Sequence, residues 1–329
     1  MHLSFASPRK LPKPKDLEGR VLVVDIAFAS EASGGGFEKI TKAFIEGLGP
    51  RLVGWVDHHD SKEHARYAGD ARFVLTTKAQ HGACPEIITP ELVARIGPVD
   101  TIVCHDDFDG LVSAAKWARG GVEPYPGADA DAHAVDTCLG RPSPTATRFD
   151  RALRARPRDV ALRGLIVRHL VEGLRDASLW GPVDEAAREL AAVEVETRRI
   201  ARSYVRLPPN VAAVECTERQ GPVDKTQLLL IGQERERVSI VIDRDTVTLA
   251  AAFDSGIDFL RLLGLSGGMP TRVSVPRSRL PDVWRALGVP AGDVPAAWGG
   301  TPLISRFRGR KRLRRGRRGR ARSVEVLRA

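Results

Sequence analysis

Short, wholly apolar runs alternate along the first 140 residues with stretches whose apolar positions fall three and four apart. RVLVVD (20–25), LVGWVD (52–57), RFVL (72–75) and TIVC (101–104) are β-rich and apolar throughout, the pattern of strands covered on both faces. FEKITKAFIEGLG (37–49), the segment near 90–96 and LVSAAKWARG (111–120) carry helical spacing between them. That alternation predicts a parallel sheet covered by helices, and AHAVD (132–136) is read as its closing strand.

The periodicity then changes. TATRFDRALRA, DVALRGLIVRHLVEGLRDA and VDEAARELAAVEVETRRIARSYV predict long helices over 144–205, a helical connector. After the break at Pro208 and Pro209, LLLIG, RVSIVID, VTLAAAF and TRVSVP read as strands, with DFLRLLG and LPDVWRALG as helices. The expected organisation is α/β: a Pro- and Lys-rich disordered leader (1–19), a first domain built on a parallel sheet (20–143), the connector (144–205), a smaller second α/β domain (206–303) and a terminal tail (304–329). No internal repeat of solenoid length is visible.

A chain of 329 residues with 43% hydrophobic content is long enough for two cores. Its formal charge of +10 is concentrated, because RFRGRKRLRRGRRGRAR (306–322) holds ten Arg and one Lys without an acid; removing those eleven from 51 basic residues leaves 40 against 41 acidic ones. The tail is too poor in apolar residues to fold and is expected to bind polyanions such as nucleic acid through phosphate neutralisation. Cys84, Cys104, Cys138 and Cys216 show no CxxC spacing, so neither a zinc knuckle nor a disulfide framework is indicated. With no signal-peptide core and no apolar run of spanning length, a cytoplasmic protein without a membrane partner is expected.

The candidate chemistry lies where two of the apolar runs end, in WVDHH (55–59) and IVCHDDFDG (102–110). Strand ends at the carboxyl edge of a parallel sheet are where reactive groups collect. Asp and His together suit hard divalent ions such as Mn²⁺, Mg²⁺ or Fe²⁺. Alternation sets His105, Asp107 and Asp109 on one side of a turn, and Gly110 lets the next helix begin close by; Asp25, ending its own strand, can lie between them and Asp57. The competing structural reading makes Asp57 and His58 caps of a helix near Asp60, and leaves the clustered carboxylates without a cation.

These motifs resemble the DHH phosphoesterase superfamily, whose members include single-strand exonucleases, short-oligonucleotide hydrolases, cyclic-dinucleotide phosphodiesterases and inorganic pyrophosphatases. The resemblance covers most of residues 20–300 and implies a site for two Mn²⁺ ions, with Mg²⁺ as the alternative. It implies His105, Asp107 and Asp109 as the first ligand cluster, Asp25 as the bridging carboxylate, His58 as a ligand of the second ion, Asp57 as an assisting group and His59 as the residue facing the substrate phosphate. The last ligand is expected on the connector, where Asp176 in GLRDASLW fits that context better than Asp136 in HAVDT. Gly267 and Gly268 in GLSGGMPTRVSV resemble the family's substrate-binding loop, with Arg272 as a further phosphate contact.

Two features depart from the family pattern. Asp25 and DHH precede the H-x-D-x-D-G cluster instead of following it, as in a circularly permuted catalytic domain, and SGGMPTR stands where a glycine run and a His are usual. The implied activity is hydrolysis of phosphodiester bonds in short or single-stranded nucleic acid. The alternatives are a small phosphate compound as substrate, a cyclic dinucleotide or pyrophosphate, and a non-catalytic nucleic-acid-binding protein on a degenerate scaffold.

Overall fold

The computed structural model describes residues 1–30 and 35–298. Strands β1 (His2–Ala6), β2 (Val21–Val24), β3 (Leu52–Asp57), the two-residue β4 (Asp60–Ser61), β5 (Phe73–Leu75) and β6 (Thr101–His105) are interleaved with helices α1 (Ala43–Leu48), α2 (Pro90–Ile96) and α3 (Phe108–Ala118). All but β4 form one parallel sheet in the order β1-β6-β2-β3-β5. The chain runs outward from β2 through β3 to β5 and then returns to the other side of β2, so the order reverses there. That reversal opens a crevice at the carboxyl ends of the strands.

The apolar runs are continuous because both faces of this sheet are covered. Leu22, Val24, Ile102 and Cys104 point into the core under α3, together with Phe108, Leu111, Phe149 and Ile166. Their neighbours Val21, Val23 and Val103 point the other way, against Phe28, Phe44 and Trp55. Trp55 is fully buried and its Nε1–H donates to the Ile26 carbonyl over 2.9 Å, which ties the turn after β2 to β3.

Residues 1–19, expected as a disordered leader, instead supply the edge strand β1, which pairs in register with β6 from His2 opposite Thr101 to Ala6 opposite His105. The local composition of Pro and Lys obscured a pairing that is made with residues a hundred positions away. AHAVD is likewise a helix and not a strand, α4 (Ala128–Thr137). Its alanines favour helix, and Ala128 and Ala132, four apart, are both buried. The connector follows as α5 (Pro144–Ala155), α6 (Val160–Val171) and α7 (Trp180–Ala201), with Arg148 lying 3.6 Å from the centroid of the Trp180 ring and Phe149 stacked against it at 4.8 Å.

Beyond it, β7 (Val205–Leu207), β8 (Val211–Glu215), β9 (Val238–Ile242), β10 (Thr246–Ala250) and β12 (Arg272–Pro276) form a second, mixed sheet ordered β12-β10-β9-β8-β7, parallel only between β8 and β9. Helices α8 (Lys225–Gln233), α9 (Phe259–Leu263) and α10 (Leu280–Ala286) accompany it. LLLIG, expected as a strand, belongs to α8, because the Asp224 carboxylate caps that helix by accepting from the Gln227 N–H over 3.0 Å. The short strand β11 (Gly267–Gly268) leaves this sheet and pairs antiparallel with β4, Gly267 opposite Ser61 and Gly268 opposite Asp60. This ribbon links the two sheets, which lie within one compact unit, Met1–Gly299, while keeping separate hydrophobic cores. The Arg-rich segment 306–322 lies outside the described residues.

Candidate metal centre

Three strand ends and two helices converge at the crevice. Asp25 follows β2 in a left-handed backbone conformation, φ 57°, which is sparsely populated for a residue with a side chain and is held here by its N–H donating to the Val56 carbonyl over 2.9 Å. Its carboxylate is 1% exposed and turned so that each oxygen faces a different histidine: Oδ1 is 3.1 Å from His58 Nε2, and Oδ2 is 3.7 Å from His105 Nδ1. Neither oxygen has a hydrogen-bond partner among the described residues. A buried carboxylate left so is costly unless a cation satisfies it.

His58 and His59 leave β3 in opposite roles. The His58 ring is fully buried, with Nδ1 3.0 Å from the His81 carbonyl oxygen, so Nδ1 carries the proton and Nε2 presents a lone pair inward. Burial, reinforced by the neighbouring Lys78 ammonium, brings this imidazole down to about 3, a neutral ligand. His59 is only partly covered, and its Nδ1 lies 2.8 Å from Asp57 Oδ1. Burial alone would raise the Asp57 carboxyl, but the His59 ring, by its charge and its hydrogen bond, holds it below the ordinary value.

From β6 come His105 and, capping α3, Asp107, whose carboxylate accepts from the Gly110 N–H over 3.4 Å and lies 2.6 Å from His105 Nδ1. Burial opposes a charged His105, yet Asp107 beside it raises the ring to about 9. A Cβ on Gly110 would stand 2.6 Å from the His105 carbonyl oxygen, so this tight strand-to-helix turn requires glycine. Asp109 is buried in the first turn of α3, where it accepts from the Cys84 N–H over 3.4 Å. Burial and then the repulsion of neighbouring carboxylates push Asp25 and Asp109 well above the usual carboxylate range.

Three groups of side chains bring ligand atoms within 4.8 Å of one another: Asp25 with His105 and Asp107, His58 with Asp109 and Asp136, and Asp25 with His58 and His59. Orphaned carboxylate oxygens, an inward lone pair on His58 and an oxygen and imidazole donor set without thiolate fit a hard divalent ion.

Asp176, expected as the last ligand, is not among them. It caps the short helical turn Ala177–Leu179, accepts from the Ser178 N–H over 2.9 Å and lies 3.9 Å from Arg168. Asp136, near the end of α4, stands there instead, its Oδ2 3.9 Å from His58 Nε2. Gly267 and Gly268 are engaged with Ser61 and Asp60, whereas Arg272, donating to Thr226 Oγ1 over 2.9 Å, does line the crevice. That crevice is a cavity of about 410 Å³ lined by His105, Asp107, Asp109 and Asp136 together with Arg154, Arg163 and Arg272.

Lys78, in the loop after β5, had no signal in the sequence: TTKAQHG reads as a polar turn. Its side chain is nonetheless buried among the ligands, paired with Asp136 and 3.0 Å from His58 Nε2. Arg154 and Arg163 were equally hidden, since each sits in a helix where a basic residue reads as solvated.

No family model matches the chain, and no curated protein matches it. Among solved structures it is similar to the manganese-bound exonuclease RecJ, with 15% identity, 84% of this chain and 76% of that one covered and a TM-score of 0.41. It is also similar to PggH, a pGpG-specific phosphodiesterase from Vibrio cholerae, with 11% identity, 82% and 97% covered and a TM-score of 0.39.

Proposed function

We propose that this protein is a divalent-metal phosphoesterase of the DHH type that hydrolyses phosphodiester bonds in short or single-stranded nucleic acid. The observation that carries this reading is the Asp25 carboxylate, unpartnered and buried, with one oxygen toward His58 and the other toward His105. Residues 25, 58 and 105 come from three separate strands, and a structural core gains nothing from bringing them together without a cation.

Asp25, His105 and Asp107 would hold a Mn²⁺ ion, and His58, Asp109 and Asp136 form the neighbouring ligand group. Bound there, a divalent ion supplies Lewis-acid activation of water and of a phosphoryl oxygen. The chain's own groups do the rest. His59, its Nδ1 engaged by Asp57, is left with Nε2 to meet a phosphoryl oxygen. Arg272, oriented by Thr226, offers a guanidinium group to a flanking phosphate from the cavity lining, while Arg154 and Arg163 line the same cavity already paired with Asp224 and Asp106. A cavity of about 410 Å³ suits the end of a single strand or a dinucleotide better than a duplex.

The test is hydrolysis with Mn²⁺ of a panel of single-stranded oligonucleotides, dinucleotides, cyclic dinucleotides and pyrophosphate. Asp25→Asn and Asp107→Asn should each abolish turnover without unfolding the chain, and retained turnover in both would end the reading. Deleting residues 304–329 should impair long strands and spare dinucleotides, because the eleven charges of 306–322 act on polyanions by number of phosphates engaged.

A further inference from the structure

Lys78 sits where a second ion would go. Its Nζ touches His58 Nε2 at 3.0 Å and pairs with Asp136 Oδ2, two of the three groups in the ligand set completed by Asp109, and it reaches the Gly82 carbonyl oxygen at 3.5 Å. An ammonium has three N–H donors, and these are three acceptors. The residue is 3% exposed, and burying an ammonium is tolerable only with such compensation.

The loop that carries it is also built around His58. Its His81 carbonyl fixes the Nδ1 side of that ring while Lys78 meets the Nε2 side. The loop is anchored at both ends, by the Thr76 N–H to the Asp57 carbonyl over 2.9 Å and by Gly82, where a Cβ would strike the His133 ring of α4 at 2.3 Å. The Lys78 N–H itself donates to Asp60 Oδ2 over 3.3 Å. A side chain whose backbone is fastened to β3, to β4's first residue and against the helix bearing Asp136 is a fixed part of the site.

We propose that the Lys78 ammonium is the second cation of this centre: it occupies the group formed by His58, Asp109 and Asp136, and the protein takes up one divalent ion, at Asp25, His105 and Asp107. This rests on the metal-dependent reading above and deepens it by fixing the number of ions. Lys78 then acts as a positioning residue, holding Asp136 and His58 in place and offsetting carboxylate charge without exchange with solvent.

The experiment counts ions. The full-length chain, stripped with chelator and dialysed against Mn²⁺, is assayed for Mn per chain by elemental analysis and for its electron paramagnetic resonance spectrum. One Mn per chain with the six-line signal of an isolated ion is expected, and His105→Ala should take the count to zero. Lys78→Met should take it to two, with the exchange-coupled signal of neighbouring ions. Two ions in the unsubstituted chain, one ion surviving in His105→Ala, or a folded Lys78→Met that still takes one would each overturn the proposal while leaving the metal-dependent reading in place. No ion in the unsubstituted chain would overturn both. Should Lys78→Met fail to fold, the unsubstituted count and His105→Ala decide.

Discussion

Gly267 faces Ser61 across the two-residue ribbon that joins β11 to β4, so close that a Cβ on Gly267 would stand 2.6 Å from the Asp60 carbonyl oxygen. The Lys62 N–H donates to the Ser266 carbonyl beside it over 3.2 Å, which makes the ribbon the clamp between the glycine loop and the segment leaving His59. Backbone cannot yield there as a side-chain end can. Gly267→Ala should therefore cost about 1–3 kcal/mol and lower Tm by a few degrees, read by thermal unfolding. An unchanged melting curve would mean that the ribbon is not formed in solution.

Asp136 and Asp176 differ in what surrounds them: Asp136 stands with His58, Asp109 and Lys78, and Asp176 caps a helical turn. Asp136→Asn should abolish hydrolysis, since it removes the charge opposite Lys78 and alters the group with His58 and Asp109. Asp176→Ala should leave turnover and Mn²⁺ uptake unchanged and cost about 1 kcal/mol in stability, the worth of a lost N-cap. Loss of turnover in Asp176→Ala with folding intact would restore the expectation read from the connector.

How much of this was legible depends on whether the signal was local. The ends of β2, β3 and β6 announce themselves because an apolar run stops on Asp or His, and Gly110 marks the turn that follows. Asp224, three residues before Gln227, was an available cap signal for α8 that the leucine run masked. β1 could not be read in the same way, because its strand character comes from pairing with β6 and not from its own few residues. Asp136 could be named only as the weaker alternative to Asp176, and Lys78 not at all, for a related reason: they are 58 residues apart and meet only because the loop after β5 packs against α4. Neither short segment carries a pattern that distinguishes a ligand from a solvated charge.

Asp243 gives the second sheet an acid limit. It follows β9, and its carboxylate gathers Lys225 at 2.7 Å, Arg219 at 2.5 Å and the Arg244 N–H at 2.8 Å. Burial opposes the charge, but these donors hold the carboxyl down at about 2, against an ordinary 3.8. A depressed folded value means the stabilisation is complete above about pH 4 and is lost as pH falls through 2. Asp243→Asn should thus destabilise the chain by roughly 1–3 kcal/mol at neutral pH and flatten the stability curve between pH 4 and 2. Parallel acid curves for the two proteins, measured by urea unfolding at each pH, would remove Asp243 as the cause.

If His59 meets the substrate as proposed, Asp57, bonded to its Nδ1, acts through it, and that makes its contribution separable. The Asp57 carboxylate is fully buried and bonds His59 Nδ1, while the His59 ring is the partly exposed member of the pair. If Asp57 orients the ring and stabilises its charge, Asp57→Asn should lower kcat by roughly 10- to 100-fold with little change in KM, and His59→Ala should lower it at least as far. Groups that act in series are not additive: the double substitution should be no slower than His59→Ala alone. Measured kcat values for the four proteins complete the cycle, and a double variant slower by the product of the two single losses would show Asp57 acting on its own, directly toward Asp25 and the ligands beyond it.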